Sequence, residues 1–224
     1  MNHLNLIILG PPGAGKGTQA DLIARKYKIP HISTGDMFRE VLKDEGSELA
    51  RDLREYVEKG ELVPDEIVLK MVKMRLEHDD AQSGFILDGF PRTLEQAKHL
   101  DDSLIQIGKN INLVIYLEAS FNIILERLAG RRVCLHCSAN YHIKYSSPKE
   151  EGVCDRCGGE LYQREDDKEA TIRRRVEIYL EQIEGIIGFY NQKECLLKIS
   201  GDLDAGDVFK LVESQLVKSN IIGN

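Results

Sequence analysis

The chain has 224 residues, enough for one large domain or one core carrying inserted lobes. Apolar residues make up 42% and charged residues 30%, ordinary for a soluble globular protein, and no apolar run approaches the roughly 20 residues of a membrane helix. A formal net charge of −7 weighs against a general nucleic-acid binder, though not against a local basic cleft, and the lack of an export-type leader points to the cytoplasm.

In chain order, the apolar run Leu4–Leu9 predicts a buried strand, and GPPGAGKGT (residues 10 to 18) follows it directly. Glycines let backbone N–H groups turn inward as an anion nest, the next helix (expected over Thr18–Tyr27) aims its positive end there, and Lys16 adds a point charge. The motif is G-x-x-x-x-G-K with Gly17 where a phosphate loop usually carries a magnesium-binding hydroxyl. A short strand is expected near His31–Ile32, running into ISTGDMFR (residues 32 to 39). There Thr34 or Asp36 is a candidate cap for the helix carrying Arg39. Residues 33 to about 63 hold two helical patterns and no strand, as an inserted helical lobe would. Helical periodicity resumes over Ile67–Leu76, with Asp65 in the expected cap position.

A third strand, Phe85–Leu87, delivers Asp88 to its carboxyl end within GFILDGFPRT (residues 84 to 93). In open α/β sheets that end binds ligands, so Asp88 can orient Mg²⁺ or its waters and Arg92 can face the same cleft. A capping Asp and a solvated Arg are the alternative. Strand Leu113–Leu117, helix Phe121–Leu128 with Ser120 at its cap, helix Thr171–Tyr190 and strand Leu196–Ile199 complete a strand–helix alternation. The pattern predicts an α/β fold built on a five-stranded parallel sheet.

The exception is residues 131 to about 167, which lack helical periodicity and hold four of the five cysteines. Cys134 and Cys137 are separated from Cys154 and Cys157 by sixteen residues, and two C-x₂-C pairs at that distance can wrap one tetrahedral Zn²⁺. Four thiolates leave no open position, so such a site is structural; two disulfides are the rival. Cys195 reads as a core thiol. Arg131 and Arg164 flank the cysteine segment, and Asp166 and Asp167 can pair with arginines and hold them.

The motifs GPPGAGKGT, ISTGDMFR, LDGFPRT with Gln96, GRR, and R-E-D-D followed by Arg175 occur in the order found in adenylate kinases. The chain resembles the long-lid bacterial type, from about residue 4 to beyond 200, and CLHC…CDRC resembles its zinc-bearing lid. Ser146-Ser147-Pro148-Lys149 departs from the Asn-Pro-Pro-Lys of many members. The resemblance implies a core (1–32, 64–129, 168–224), an AMP-binding lobe (33–63) and a lid (130–167). It implies the reaction ATP + AMP ⇌ 2 ADP with Mg²⁺, and lobes that must swing freely favour a monomer. Carried over by motif, Gly13, Ala14, Gly15, Lys16, Gly17 and Thr18 with Arg131 and Tyr141 resemble the ATP site. Thr34, Arg39, Glu61, Leu62, Val63, Gly89, Phe90, Pro91, Arg92 and Gln96 resemble the AMP site. Arg164 and Arg175 resemble the pair that reaches the transferred phosphoryl group. A kinase for UMP, CMP or GMP is the nearest alternative. A zinc-ribbon protein acting on nucleic acid is the more distant one, disfavoured by the acidic balance and the absence of an aromatic-rich basic stripe.

Overall fold

The computed structural model describes residues 3–44 and 46–222. Residues 1–2 and 223–224, within the expected core segments, and residue 45, within the expected 33–63 lobe, lie outside the described residues. The elements in chain order are β1 (Leu4–Leu9), α1 (Lys16–Tyr27), β2 (His31–Ser33), α2 (Thr34–Leu42), α3 (Glu48–Lys59), α4 (Asp65–Leu76), β3 (Gly84–Asp88) and α5 (Leu94–Gln106). They continue with β4 (Leu113–Glu118), α6 (Phe121–Ala129), β5 (Arg131–Cys134), β6 (Asn140–His142), β7 (Leu161–Tyr162), α7 (Glu169–Gln192), β8 (Leu196–Ser200) and α8 (Ala205–Lys218). Among the described residues no helix is long and apolar enough to cross a membrane.

Five strands form one parallel sheet in the order β2-β3-β1-β4-β8. All six residues of β1 are buried because helices cover both sheet faces. Ile7 and Leu9 point into a core shared with α2 to α5 and α7, while Leu4, Leu6 and Ile8 point into one shared with α1 and α8. The expected five strands are all present. Helices α5 and α8 were not anticipated, their apolar residues being interleaved with charge.

The order of strands places the ends of β1 and β3 side by side, with Ile8 opposite Asp88 and Ser33 of β2 opposite Asp88 on the other side. The loop after β1 and the turn after β3 therefore open onto the same edge. Thr34–Leu42 and Glu48–Lys59 form two helices, as the sequence suggests. Between α6 and α7 the chain makes a separate antiparallel sheet, ordered β6-β5-β7.

Two caps differ from expectation. Ser33, not Thr34 or Asp36, caps α2 by accepting a hydrogen bond from the Asp36 N–H. Asp65 is the first residue of α4, behind Pro64, which leaves its carboxylate available to other elements. Ser120 does precede α6, but its side chain makes no capping bond.

Gly84 opens β3 at φ +135°, and a Cβ there would lie 2.5 Å from the Leu4 carbonyl oxygen of β1. Gly84→Ala is expected to cost about 3 kcal/mol or more in urea unfolding, through left-region strain and a backbone clash. Gly108→Ala is the control: φ is +70° but a Cβ meets nothing within 4 Å, so only about 1–2 kcal/mol is lost.

Candidate active site

The loop after β1 forms an anion nest. Gly15, at φ +94°, is the N-cap of α1, so the positive end of that helix points into the loop. Lys16 Nζ donates to the Gly10 and Pro11 carbonyls at 2.8 and 2.9 Å, lying back along the loop. Burial lowers its pKa to about 8, with Asp88 opposing and Arg92, Arg175 and Arg131 reinforcing the shift. A Cβ on Gly17 would lie 3.6 Å from Asp88 Oδ2. The position that carries a hydroxyl in most phosphate loops thus faces the Asp88 carboxylate.

Asp88 has a partner that no sequence signal revealed. His31 lies between two carboxylates, Nδ1 2.8 Å from Asp21 Oδ1 and Nε2 3.3 Å from Asp88 Oδ2. A neutral imidazole can donate from only one nitrogen, so two facing carboxylates favour the doubly protonated ring. Burial alone would push His31 down, but the Asp21 and Asp88 contacts outweigh it and hold the ring up at about 10. Burial raises Asp88 in turn, yet the His31 hydrogen bond and the charges of Lys16, His31 and Arg92 together keep its carboxyl below the usual range.

The arginines converge as expected. Arg131 grips Asp167 with two hydrogen bonds, 2.8 and 2.5 Å, and Arg164 grips Asp166 the same way, Nε to Oδ1 at 2.8 Å. Arg175 donates to the Asp166 carbonyl at 3.0 Å and lies 3.0 Å from Asp166 Oδ2 and 3.5 Å from Asp167 Oδ1. Burial is the main force lowering Arg175 to about 10, and burial likewise opposes the arginines that hold the Asp166 carboxyl far below the usual range. Two buried aspartates therefore fix three arginines in place. Arg39 pairs with Asp36, and its buried Nε has no partner among the described residues.

Two cavities meet at this cluster. A cleft of about 670 Å³ is lined by Gly13 to Thr18, Asp88, Arg131 and Tyr141, and by His142, Tyr145 and the Gly201–Ala205 turn. A smaller cavity of about 50 Å³ is lined by Thr34, Glu61, Leu62, Val63 and Gln96. Arg39, Arg92, Arg164 and Arg175, with Gly35 and Gly89, line both. Phe90 and Pro91 line neither; Phe90 is fully buried in the core, so these two shape the turn rather than its surface.

The turn after β3 is tightly held. The Gly89 carbonyl accepts from Thr34 Oγ1 at 2.9 Å and from Arg92 Nε at 2.7 Å, and Gln96 Oε1 accepts from the Arg92 N–H at 2.7 Å. Arg127 belongs to the arginine-rich second half of the sequence, which gives it no individual role; it donates to the Gly201 carbonyl at 2.7 Å and lines the larger cleft. Its place one turn ahead of Gly130-Arg131-Arg132 was the available hint. The Gly201–Ala205 turn carries no motif that marks it.

The four cysteines gather as predicted, as free thiols with all Sγ atoms within 4.8 Å of one another. Four thiolates bound at about 2.3 Å to one tetrahedral ion would lie about 3.8 Å apart, and here Cys134–Cys157 and Cys137–Cys154 are 3.4 and 3.6 Å. The two C-x₂-C turns match: the N–H of Ser138 donates to the Cys134 carbonyl at 3.1 Å and that of Gly158 to the Cys154 carbonyl at 2.8 Å, both residues being left-handed. The set fits one zinc ion. Tyr141 adds a link, because its residue lines the cleft while its hydroxyl lies 3.4 Å from Cys154 Sγ.

Comparison with known proteins agrees with this geometry. The family model for adenylate kinase matches residues 8–195. The chain is 50% identical over 215 residues to the adenylate kinase of Archaeoglobus fulgidus, covering 96% of this chain and 99% of that protein. It is 50% identical to the adenylate kinase of Caldicellulosiruptor bescii (93% and 97% covered) and 48% identical to that of Staphylococcus aureus (92% and 96% covered). A phosphate loop, a facing carboxylate and an arginine cluster shared by two cavities therefore have a common explanation: the chain belongs to the adenylate kinase family, enzymes that transfer a phosphoryl group to a nucleoside monophosphate.

Proposed function

We propose that the chain transfers the γ-phosphoryl group of ATP to AMP, giving two ADP, with ATP in the larger cleft and AMP in the smaller cavity. The observation that carries this reading is the single set of arginines, Arg39, Arg92, Arg164 and Arg175, lining both cavities at once. Two nucleotides entering from opposite sides would bring their phosphates to that junction. The smaller cavity is far below the size of a nucleotide, so segment 33–63 must open to admit AMP, and 130–167 would act as the cover on the ATP side.

In this reading Gly13 to Thr18, Arg131 and Tyr141 hold ATP. Thr34, Arg39, Glu61 to Val63, Gly89, Arg92 and Gln96 hold AMP. A phosphate oxygen of AMP attacks the γ-phosphorus in line; the new P–O bond forms as the β–γ bridging bond breaks and ADP leaves. The second pKa of a phosphate monoester is about 6, so the nucleophile is already deprotonated near neutral pH and no general base is needed. Catalysis is then positioning plus charge stabilisation. Asp166 and Asp167 hold Arg131, Arg164 and Arg175 in place before substrate arrives, so little reorganisation is left for the transfer step. Lys16 exchanges two backbone carbonyls for phosphate oxygens.

Asp88, kept ionised beside His31, with Thr18 and Asp36 at the same cleft, would hold Mg²⁺ through its waters. When bound, that ion neutralises phosphate charge. Cys134, Cys137, Cys154 and Cys157 would hold a structural Zn²⁺.

Initial rates with Mg-ATP against AMP, UMP, CMP and GMP test the assignment directly, and AMP is expected to be the preferred acceptor. In that assay Lys16→Ala and Arg92→Ala should each lose at least about 2.7 kcal/mol of transition-state stabilisation, on the order of a hundredfold in rate. Near-wild-type turnover by either folded variant refutes the mechanism. Since the charged ammonium of Lys16 is the form that binds phosphate, free-enzyme kcat/KM for Mg-ATP should fall as pH rises through about 8. A profile that stays flat two units higher would show that Lys16 keeps its proton. Metal analysis should find about one zinc per chain, and chelating it should lower Tm more than turnover at moderate temperature. Lost turnover with unchanged melting would instead mark a catalytic metal.

A further inference from the structure

Gln96 is held by a frame that leaves it only one hydrogen-bonding polarity. Its side chain is buried, and its Nε2 donates to Asp65 Oδ1 at 2.6 Å while its Oε1 accepts from the Arg92 N–H at 2.7 Å. Asp65 is anchored in turn, its Oδ2 accepting from Thr93 Oγ1 at 2.9 Å, and that same hydroxyl accepts from the Gln96 N–H at 3.1 Å. An ionised carboxylate can only accept and a backbone N–H can only donate. Turning the amide over would set oxygen against carboxylate and NH₂ against N–H, losing both bonds and leaving buried polar groups facing like partners.

We infer that Asp65 is a positioning residue that fixes the amide of Gln96 so that the smaller cavity accepts a 6-aminopurine and rejects a 6-oxopurine. The inference rests on the proposed binding of the acceptor base beside Gln96. An amide has two donors and two acceptor sites; the frame consumes one of each and leaves one N–H and one oxygen lone pair. Adenine offers a matching edge, an acceptor at N1 and a donor at the 6-amino group. Hypoxanthine and guanine carry a donor at N1 and an acceptor at O6, which pair only with the amide reversed. Shape cannot make this distinction, since IMP and AMP are nearly isosteric. A site built on fixed donors and acceptors can, because the wrong base leaves them unpaired. The frame also ties the base reader to the chain that leads into it: Asp65 follows Glu61, Leu62 and Val63, which line the same cavity, and reaches 31 residues along the sequence to Gln96.

The test is the ratio of kcat/KM for AMP to that for IMP, measured on the full chain with Mg-ATP. Asp65→Ala should raise the KM for AMP about tenfold and narrow the AMP:IMP ratio at least about tenfold, while KM for ATP stays within about twofold. Asp65→Asn is isosteric, so it guards against a folding failure in the alanine variant. Its amide can present either a donor or an acceptor, and the ratio should narrow at least about threefold with little change in Tm. A merely structural role predicts that AMP and IMP lose activity in step, so an unchanged ratio in either folded variant overturns the inference. Gln96→Ala separates the two levels. If it narrows the ratio and the Asp65 variants do not, Asp65 plays no part in the discrimination. If it leaves the ratio unchanged, base reading by Gln96 is wrong and the inference falls with it.

Discussion

Lys16, Arg92, Arg131, Arg164 and Arg175 share one cleft, and like charges at that density repel unless something holds them. Asp166 and Asp167 do so for three arginines: paired hydrogen bonds fix the guanidinium planes of Arg131 and Arg164, and Arg175 donates to the Asp166 carbonyl while lying against both carboxylates. Asp88 does so for Lys16, and His31 supports Asp88. The carboxylates compensate only part of the positive charge. What remains uncompensated leaves the cleft with a positive field of the sign that attracts anions. Burial, reinforced by the neighbouring arginines, lowers the pKa of Lys16 to about 8, so the lysine of the glycine-rich loop loses its proton more readily than an exposed one.

The sheet makes that arrangement possible. Parallel strands put all their carboxyl ends on one edge, so the loop after β1, the β2–α2 junction and the turn after β3 face each other without long connections. The cysteine-bearing sheet between α6 and α7 has a different problem. Its apolar cluster comprises Cys134, Cys154 and Leu161 with a few partly buried neighbours, too little to hold a fold by burial alone. A metal held by the four gathered thiolates would supply the missing cross-link, and Tyr141 connects that cluster to the wall of the larger cleft.

Much of this was legible in the residues. The strand β1 and its loop were readable because continuous burial and glycine spacing are local signals. The four cysteines were readable because ligand spacing is itself a local rule. Helices α5 and α8 escaped because their periodicity is diluted by charge, and the cap of α2 was placed one or three residues late because Ser33, Thr34 and Asp36 are all competent caps. Thr34 is already the first helical residue behind the Ser33 cap, and its hydroxyl donates to the Gly89 carbonyl, a contact made across 55 residues.

The sequence by itself determined the chemistry available: which groups are suited to bind phosphate, which are suited to ligate metal, and the strand–helix order that brings them to one side of a parallel sheet. Each rests on short-range spacing, and spacing survives without coordinates. The tertiary structure alone decided the partnerships, His31 with Asp21 and Asp88, Arg127 with Gly201, and Asp65 with Thr93 and Gln96. Hydrogen-bond polarity depends on which groups meet across the fold, and nothing in the local pattern around Asp65 distinguishes a helix-starting carboxylate from one that orients a glutamine 31 residues away.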